Sequence, residues 1–238
     1  MTTVTLPNTI NFNTNPDVVD QYLQDFIVCC FFTPSYEGHA KQLKQSIKQL
    51  QINYYLQPVP EQGYWEANTR IKPYFLDHCL KQFPNRNVLY LDADAIVKNS
   101  LNYFDEITCD VAVYHTKGAQ GMSHDYLTGT IFLKNKQVTK DFVGRWCAVQ
   151  DDCKLTLVDQ DSFDQAMQTS NTHLVIADLP LGYIKIFDKD FDGKVYIEQY
   201  QASRQQTKLK RKLIRRRNQI LSFTFISLAV AAVIALVN

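Results

Sequence analysis

Apolar residues in this chain come in short dense runs separated by amphipathic stretches. "FIVCCFF" (26–32) is a continuous apolar run, suited to a strand buried on both faces. After "TPSYEGH" the pattern changes period. "AKQLKQSIKQLQ" sets Leu43, Ile47 and Leu50 on one side of a helix. "INYYLQPV" reads as a second strand closed by prolines, and "ANTRIKPYFLDHCLKQF" as a second helix with Pro73 near its start. "NVLYL" is a third strand. Strand and helix alternate with wholly apolar strands, which predicts an α/β fold with a mostly parallel sheet flanked by helices. The second half is less regular: "CDVAVYH", "TGTIFLKN", "THLVIADLP" and "GKVYIEQYQ" read as strands, "VTKDFVGRWCAVQ" and "VDQDSFDQAMQ" as helices.

The third strand ends in an unusual way. "VLYLDADAIV" (88–97) runs out of the core into Asp92 and Asp94. Side chains two positions apart on a strand share a face, and two carboxylates so placed repel unless a cation lies between them. Oxygen ligands favour Mg²⁺ or Mn²⁺ over zinc. An Asx-type turn at a strand end is the blander reading. Ligands of open α/β sheets bind beyond the strands' carboxyl ends, where these aspartates lie, and this favours the metal.

Charge and cysteines narrow the class. The net charge of +1 conceals "KLKRKLIRRR" (208–217), with seven Lys and Arg, and no acid follows it. The remaining body is therefore mildly acidic, poor material for a nucleic-acid groove. The six cysteines show no C-x-x-C and no zinc spacing. Cys29 and Cys30 read as small core hydrophobes, and the N-terminus lacks the basic start and apolar stretch of a secretory signal. Reduced thiols in the cytosol are expected.

Three elements stand in order: Asp92-Ala-Asp94, "YLTGTIFLKN" (126–135) and "LVDQDSFDQAM" (157–167). On them, from about Ile27 to Arg204, the chain resembles the nucleotide-sugar-dependent glycosyltransferases of the GT-A fold. The likeness is to the retaining group that includes glycogenin and the bacterial lipopolysaccharide galactosyltransferases. The resemblance implies a nucleotide-diphosphate sugar donor, a UDP-sugar foremost, an acceptor it does not specify, and Mn²⁺ or Mg²⁺ on Asp92 and Asp94 against the diphosphate. It implies donor contacts at Thr33, Tyr36, Lys72, Asp92 and Gly129, and a phosphate contact at Lys194 or Arg204. By the same likeness Gln160 lies beneath the anomeric carbon, with Asp159 and Asp161 orienting donor hydroxyls or acceptor. An acidic helix start is the alternative for "VDQD", and a solvated helix lysine for Lys72.

The chain departs from the family at two places. Leu127 stands where the family's Asn precedes the small residues. The family's C-terminal metal-binding His and its Lys-Pro-Trp are absent, with "VYIEQYQASRQ" in their place and Glu198 as a candidate third ligand. Trp65 could stack on a sugar or base, or serve as a core or lid residue. The five histidines form no zinc pattern, although His115 and His124 flank the expected donor region. The competing functions are a haloacid-dehalogenase-type phosphatase, which also uses D-x-D, and a glycan-binding module without turnover.

The tail "ILSFTFISLAVAAVIALVN" (220–238) has 15 apolar residues in 19 and no charge. As a helix it measures about 28 Å, close to a bilayer's hydrocarbon thickness. With the basic run beside it, the expected organisation is an N-terminal segment (1–24), a catalytic domain (25–206), a basic juxtamembrane segment (207–219) and a single-pass tail anchor (220–238). The positive flank marks the cytoplasmic side, which puts the catalytic domain in the cytosol.

Overall fold

The computed structural model describes residues 10–63, 65–118, 123–153, 157–169 and 173–204. The chain divides into a unit Met1–Tyr200, whose fold follows, and a unit Gln201–Asn238, of which 201–204 are described. The proposed tail helix and basic run lie outside the described residues. Among the described residues no helix is long and apolar enough to cross a membrane.

Along the chain run β1 (Asp17–Val19), β2 (Phe26–Phe32), α1 (Glu37–Gln49), β3 (Tyr54–Pro58), α2 (Trp65–Thr69), α3 (Lys72–Gln82) and β4 (Asn87–Leu91). Then come β5 (Ala95–Val97), α4 (Tyr103–Glu106), β6 (Val111–His115), β7 (Tyr126–Leu133), α5 (Gln137–Asp152) and α6 (Asp159–Gln168). β8 (Ile176–Asp178), β9 (Lys185–Ile186) and β10 (Ile197–Gln199) complete the unit. The main sheet has the order β1-β3-β2-β4-β7-β6-β8, and a three-stranded sheet has the order β5-β10-β9.

β2 shows why the sheet is buried on both sides. Ile27, Cys29 and Phe31 face a core that includes Phe75 and Leu76 of α3, Trp146 of α5 and Phe163 of α6. Phe26, Val28 and Cys30 face Leu43 and Ile47 of α1 and Phe104 of α4. Alternation with period two places consecutive residues in opposite cores, so the whole run must be apolar. Cys29 and Cys30 are free and buried, as their setting predicts.

Two expectations are corrected. The sheet is mixed rather than mostly parallel: β2 runs parallel to β3 and β4, but β7 lies antiparallel to both β4 and β6. A central antiparallel strand looks as apolar as a parallel one once both faces are covered. The single helix expected over 67–83 is two helices, α2 and α3. Pro73 has no N–H for the Thr69 carbonyl and its ring crowds that oxygen, so the helix breaks there and restarts at Lys72.

Candidate active site

β7 changes partners where the site forms. Val113 of β6 pairs with Ile131, but the next residue, Tyr114, pairs with Leu127. Thr128, Gly129 and Thr130 are thus extra residues on the β6 side, while Thr130 stays in register with Leu91 of β4. Such bulges bend a strand and redirect its side chains. Here the bulge brings Thr128 and Gly129 against the end of β4, with the Asp92 N–H donating to the Gly129 carbonyl at 3.0 Å. Gly129 is favoured by close approach. A Cβ there would stand 3.2 Å from Asp92 Oδ2 and 3.3 Å from the Gln199 side chain.

Lys72, the first residue of α3, lies buried at the centre of this site. Its Nζ is 2.6 Å from Asp159 Oδ2 and 3.1 Å from Asp92 Oδ1. It also donates to the Thr128 carbonyl and hydroxyl oxygens at 3.1 and 3.2 Å, and sits 4.9 Å from the centre of the Tyr90 ring. Burial by itself would lower its pKa, but the Asp159 and Asp92 carboxylates outweigh it and hold the ammonium above its ordinary value. The solvated-lysine reading is therefore wrong. One cation joins the D-x-D to the "VDQD" motif.

The other predicted residues divide into groups. Asp92 offers Oδ1 to Lys72 and to the Tyr90 hydroxyl (2.9 Å); its side chain is 38% exposed. Asp94 lies two residues on, and both carboxylates help burial raise the Cys30 thiol and the Tyr36 phenol. Tyr36, at the end of the turn after β2, therefore stands near enough to the two aspartates to feel their charge. Thr33 is buried, with its hydroxyl 3.0 Å from that of Ser35. Ser35 in turn donates to Glu61 at 2.5 Å. Arg204 belongs to the second unit.

"VDQD" opens α6, as its acids predict. Asp159 is buried against Lys72 and accepts the Thr128 hydroxyl at 2.7 Å. Asp161 caps the helix start, its Oδ2 taking the Val158 N–H at 2.8 Å, and its Oδ1 lies 3.2 Å from His124 Nε2. Gln160 donates from Nε2 to the Tyr126 carbonyl at 3.0 Å. Asp164, on the same helix, takes the N–H groups of Asp125 and Tyr126 at 2.8 and 3.1 Å. Residues 124–126 are thus fastened to α6 at four points, which fixes Gln160 relative to β7. His115 stacks on Tyr126 at 4.8 Å.

Glu198, expected as a third metal ligand, is engaged elsewhere. It receives Lys185 (3.0 Å), Lys98 (3.2 Å) and the Tyr200 hydroxyl (3.0 Å). Burial alone would raise its pKa, and these hydrogen bonds turn the net shift downward. Its neighbour Gln199, on the other face of β10, is the one that meets Gly129. Alternation along a strand decides this, and without the pairing partner "IEQ" does not reveal which residue turns inward.

The donor set fits a hard divalent cation. Asp92 Oδ2 has no hydrogen-bond partner among the described residues, and Gly129 leaves room beside it. Among the described residues no three His, Cys, Asp or Glu side chains gather as a closed metal cage. A pair of carboxylates suits Mg²⁺ or Mn²⁺, which commonly complete their shells with substrate phosphate and water.

No protein-family model and no curated protein matches the sequence. Solved structures do match the fold. One is a glycosyltransferase involved in the glycosylation of the major capsid of PBCV-1, with a TM-score of 0.59 at 14% identity over 76% of this chain and 96% of that one. The chain has the fold of a glycosyltransferase. A second is the apo form of the glycosyltransferase GlyE of Streptococcus pneumoniae TIGR4, with a TM-score of 0.54 at 13% identity over 75% of this chain and 55% of that one. The seven-stranded sheet flanked by helices agrees with the GT-A architecture the motifs suggested.

Proposed function

We propose that this chain is a metal-dependent glycosyltransferase that moves a sugar from a nucleotide diphosphate, a UDP-sugar in the first instance, to an acceptor with retention of anomeric configuration. The observation that carries the reading is the buried contact of Lys72 with both Asp92 and Asp159, because it unites the two motifs in one site of a glycosyltransferase fold. Asp92 and Asp94 would hold Mn²⁺ or Mg²⁺, which when bound supplies positive charge to the diphosphate leaving group. Tyr36, on the turn that leaves β2, lies within the electrostatic reach of the aspartates, and the nucleotide would lie on that side.

The engagement of the carboxylates favours retention without a covalent intermediate on this motif. Asp159 is neutralised by Lys72 and the Thr128 hydroxyl, and Asp161 is engaged at both oxygens. Neither is poised as a nucleophile or as a base for water. Gln160, its nitrogen fixed to the Tyr126 carbonyl, keeps an amide oxygen without a hydrogen-bond partner among the described residues. That dipole suits the positive charge that develops at the anomeric carbon in glycosyl transfer. Screening nucleotide sugars for Mn²⁺-dependent hydrolysis identifies the donor, and the coupling constant of the new anomeric proton tests the stereochemistry. An α-linked donor should give an α-linked product. A β product would overturn retention and make Asp159 or Asp161 the general base.

The proposal extends to a membrane. Residues 220–238 form the anchor, with the basic run 208–217 on the cytoplasmic face and the catalytic unit in the cytosol. Full-length protein should stay in the membrane fraction through high-salt and carbonate washes, and deletion of 208–238 should release a chain that still hydrolyses its donor. Release of the full-length protein by salt alone would reduce the attachment to electrostatics.

A further inference from the structure

We propose that Gln199 is a positioning residue that fixes the Asp92 and Asp94 carboxylates relative to one another and thereby sets the affinity for the divalent cation. The inference rests on the metal-dependent reading above. The two aspartates are held by different sheets. Asp92 directly follows β4 of the seven-stranded sheet, its N–H bonded to the Gly129 carbonyl at 3.0 Å. Asp94 leads into β5 of the three-stranded sheet, and its carbonyl accepts the Tyr200 N–H at 3.1 Å. Only Ala93 separates them, so a small shift between the sheets alters the gap that a cation must bridge.

Gln199 crosses that seam. Its backbone lies in β10, in register with Ala95. Its buried side chain reaches back to β7, where Nε2 donates to the Gly129 carbonyl and the Thr130 hydroxyl, both at 3.0 Å. The Gly129 oxygen therefore receives the Asp92 N–H and the Gln199 amide together. One carbonyl ties the strand carrying Asp92 to the strand that holds the backbone of Asp94. Glu198 cannot take this part, since its carboxylate is occupied by Lys98, Lys185 and Tyr200.

Replacement by methionine keeps the length and bulk of Gln199 but removes the donor. The fold should survive, because the Gly129 carbonyl keeps the Asp92 N–H and the Thr130 hydroxyl still donates to the Tyr183 carbonyl. Mn²⁺ binding to the full-length chain in detergent, without sugar nucleotide, is read from the free-ion electron paramagnetic resonance signal, with thermal unfolding recorded alongside. Gln199→Met should raise the Mn²⁺ Kd about tenfold, the scale for removing a group that orients metal ligands, and saturating Mn²⁺ should restore transfer. Gln199→Glu, which also lacks the donor, should weaken binding too. Gln199→Leu, which likewise lacks the donor, serves as the test if Gln199→Met does not fold. Unchanged Kd in the folded variants overturns the positioning role, and tighter binding by Gln199→Glu replaces it with direct ligation. A wild-type chain with no Mn²⁺ binding sensitive to Asp92→Asn overturns the metal-dependent reading itself, and this inference with it.

Discussion

Asparagine in place of Asp92 or Asp94 is expected to lower sugar transfer on the order of a hundredfold or more, the scale for losing a principal electrostatic stabiliser of developing charge. The two substitutions should differ in their side effects. Asp92 also accepts from Lys72 and the Tyr90 hydroxyl, so Asp92→Asn removes one of two negative partners from a buried ammonium as well as a proposed metal ligand. It should therefore reduce thermal stability more than Asp94→Asn. Mn²⁺ titrations of transfer rate and thermal melts measure both effects. A double variant with full activity, or wild-type activity unaffected by excess chelator, would remove the metal from the mechanism.

Lys72→Met should be costly to the fold as well as to the reaction. The Lys72 and Asp159 side chains are 4% and 5% exposed, so deleting the cation leaves Asp159 buried without its counter-charge and close to Asp92. Breaking a buried pair from one side costs about 3–5 kcal/mol, a large part of a typical domain's stability. The pH dependence follows from the raised pKa of Lys72. A lysine held above its unfolded value contributes fully below about pH 10.4, and that contribution is lost as pH rises through the folded pKa. The stability difference between wild type and Lys72→Met should thus stay level up to the ordinary lysine range and fall only in stronger alkali. Urea unfolding at several pH values measures this, and a loss under about 1 kcal/mol at neutral pH would mean that the pair is solvated rather than buried.

The four-point fastening of 124–126 onto α6 bears on Leu127, which stands where the glycosyltransferases that the motifs resemble carry Asn. The residue before the bulge need not hydrogen-bond to hold β7 in place, because Gln160, Asp161 and Asp164 do so from the helix side.

Much of the fold was legible in the sequence because its signals are local. The unbroken apolar run of β2, the helical spacing of Leu43 and Ile47, and the acids that open α6 each reflect burial or backbone electrostatics within a few residues. Asp92 and Asp94 were legible as a pair from their spacing, but the strand geometry expected for them does not hold: β4 ends at Leu91, and Asp92–Ala95 form a turn closed by the Ala95 N–H on the Asp92 carbonyl at 3.0 Å. Strand direction was not, because β7 reaches its antiparallel place by a connection whose path leaves no mark on the apolar pattern. The role of Lys72 depended on contacts with residues 20 and 87 positions away in the chain, and the choice of Gln199 over Glu198 depended on which face of β10 met β7. Sequence determines which side chains share a strand or helix face; only packing between elements decides which of those faces becomes the site.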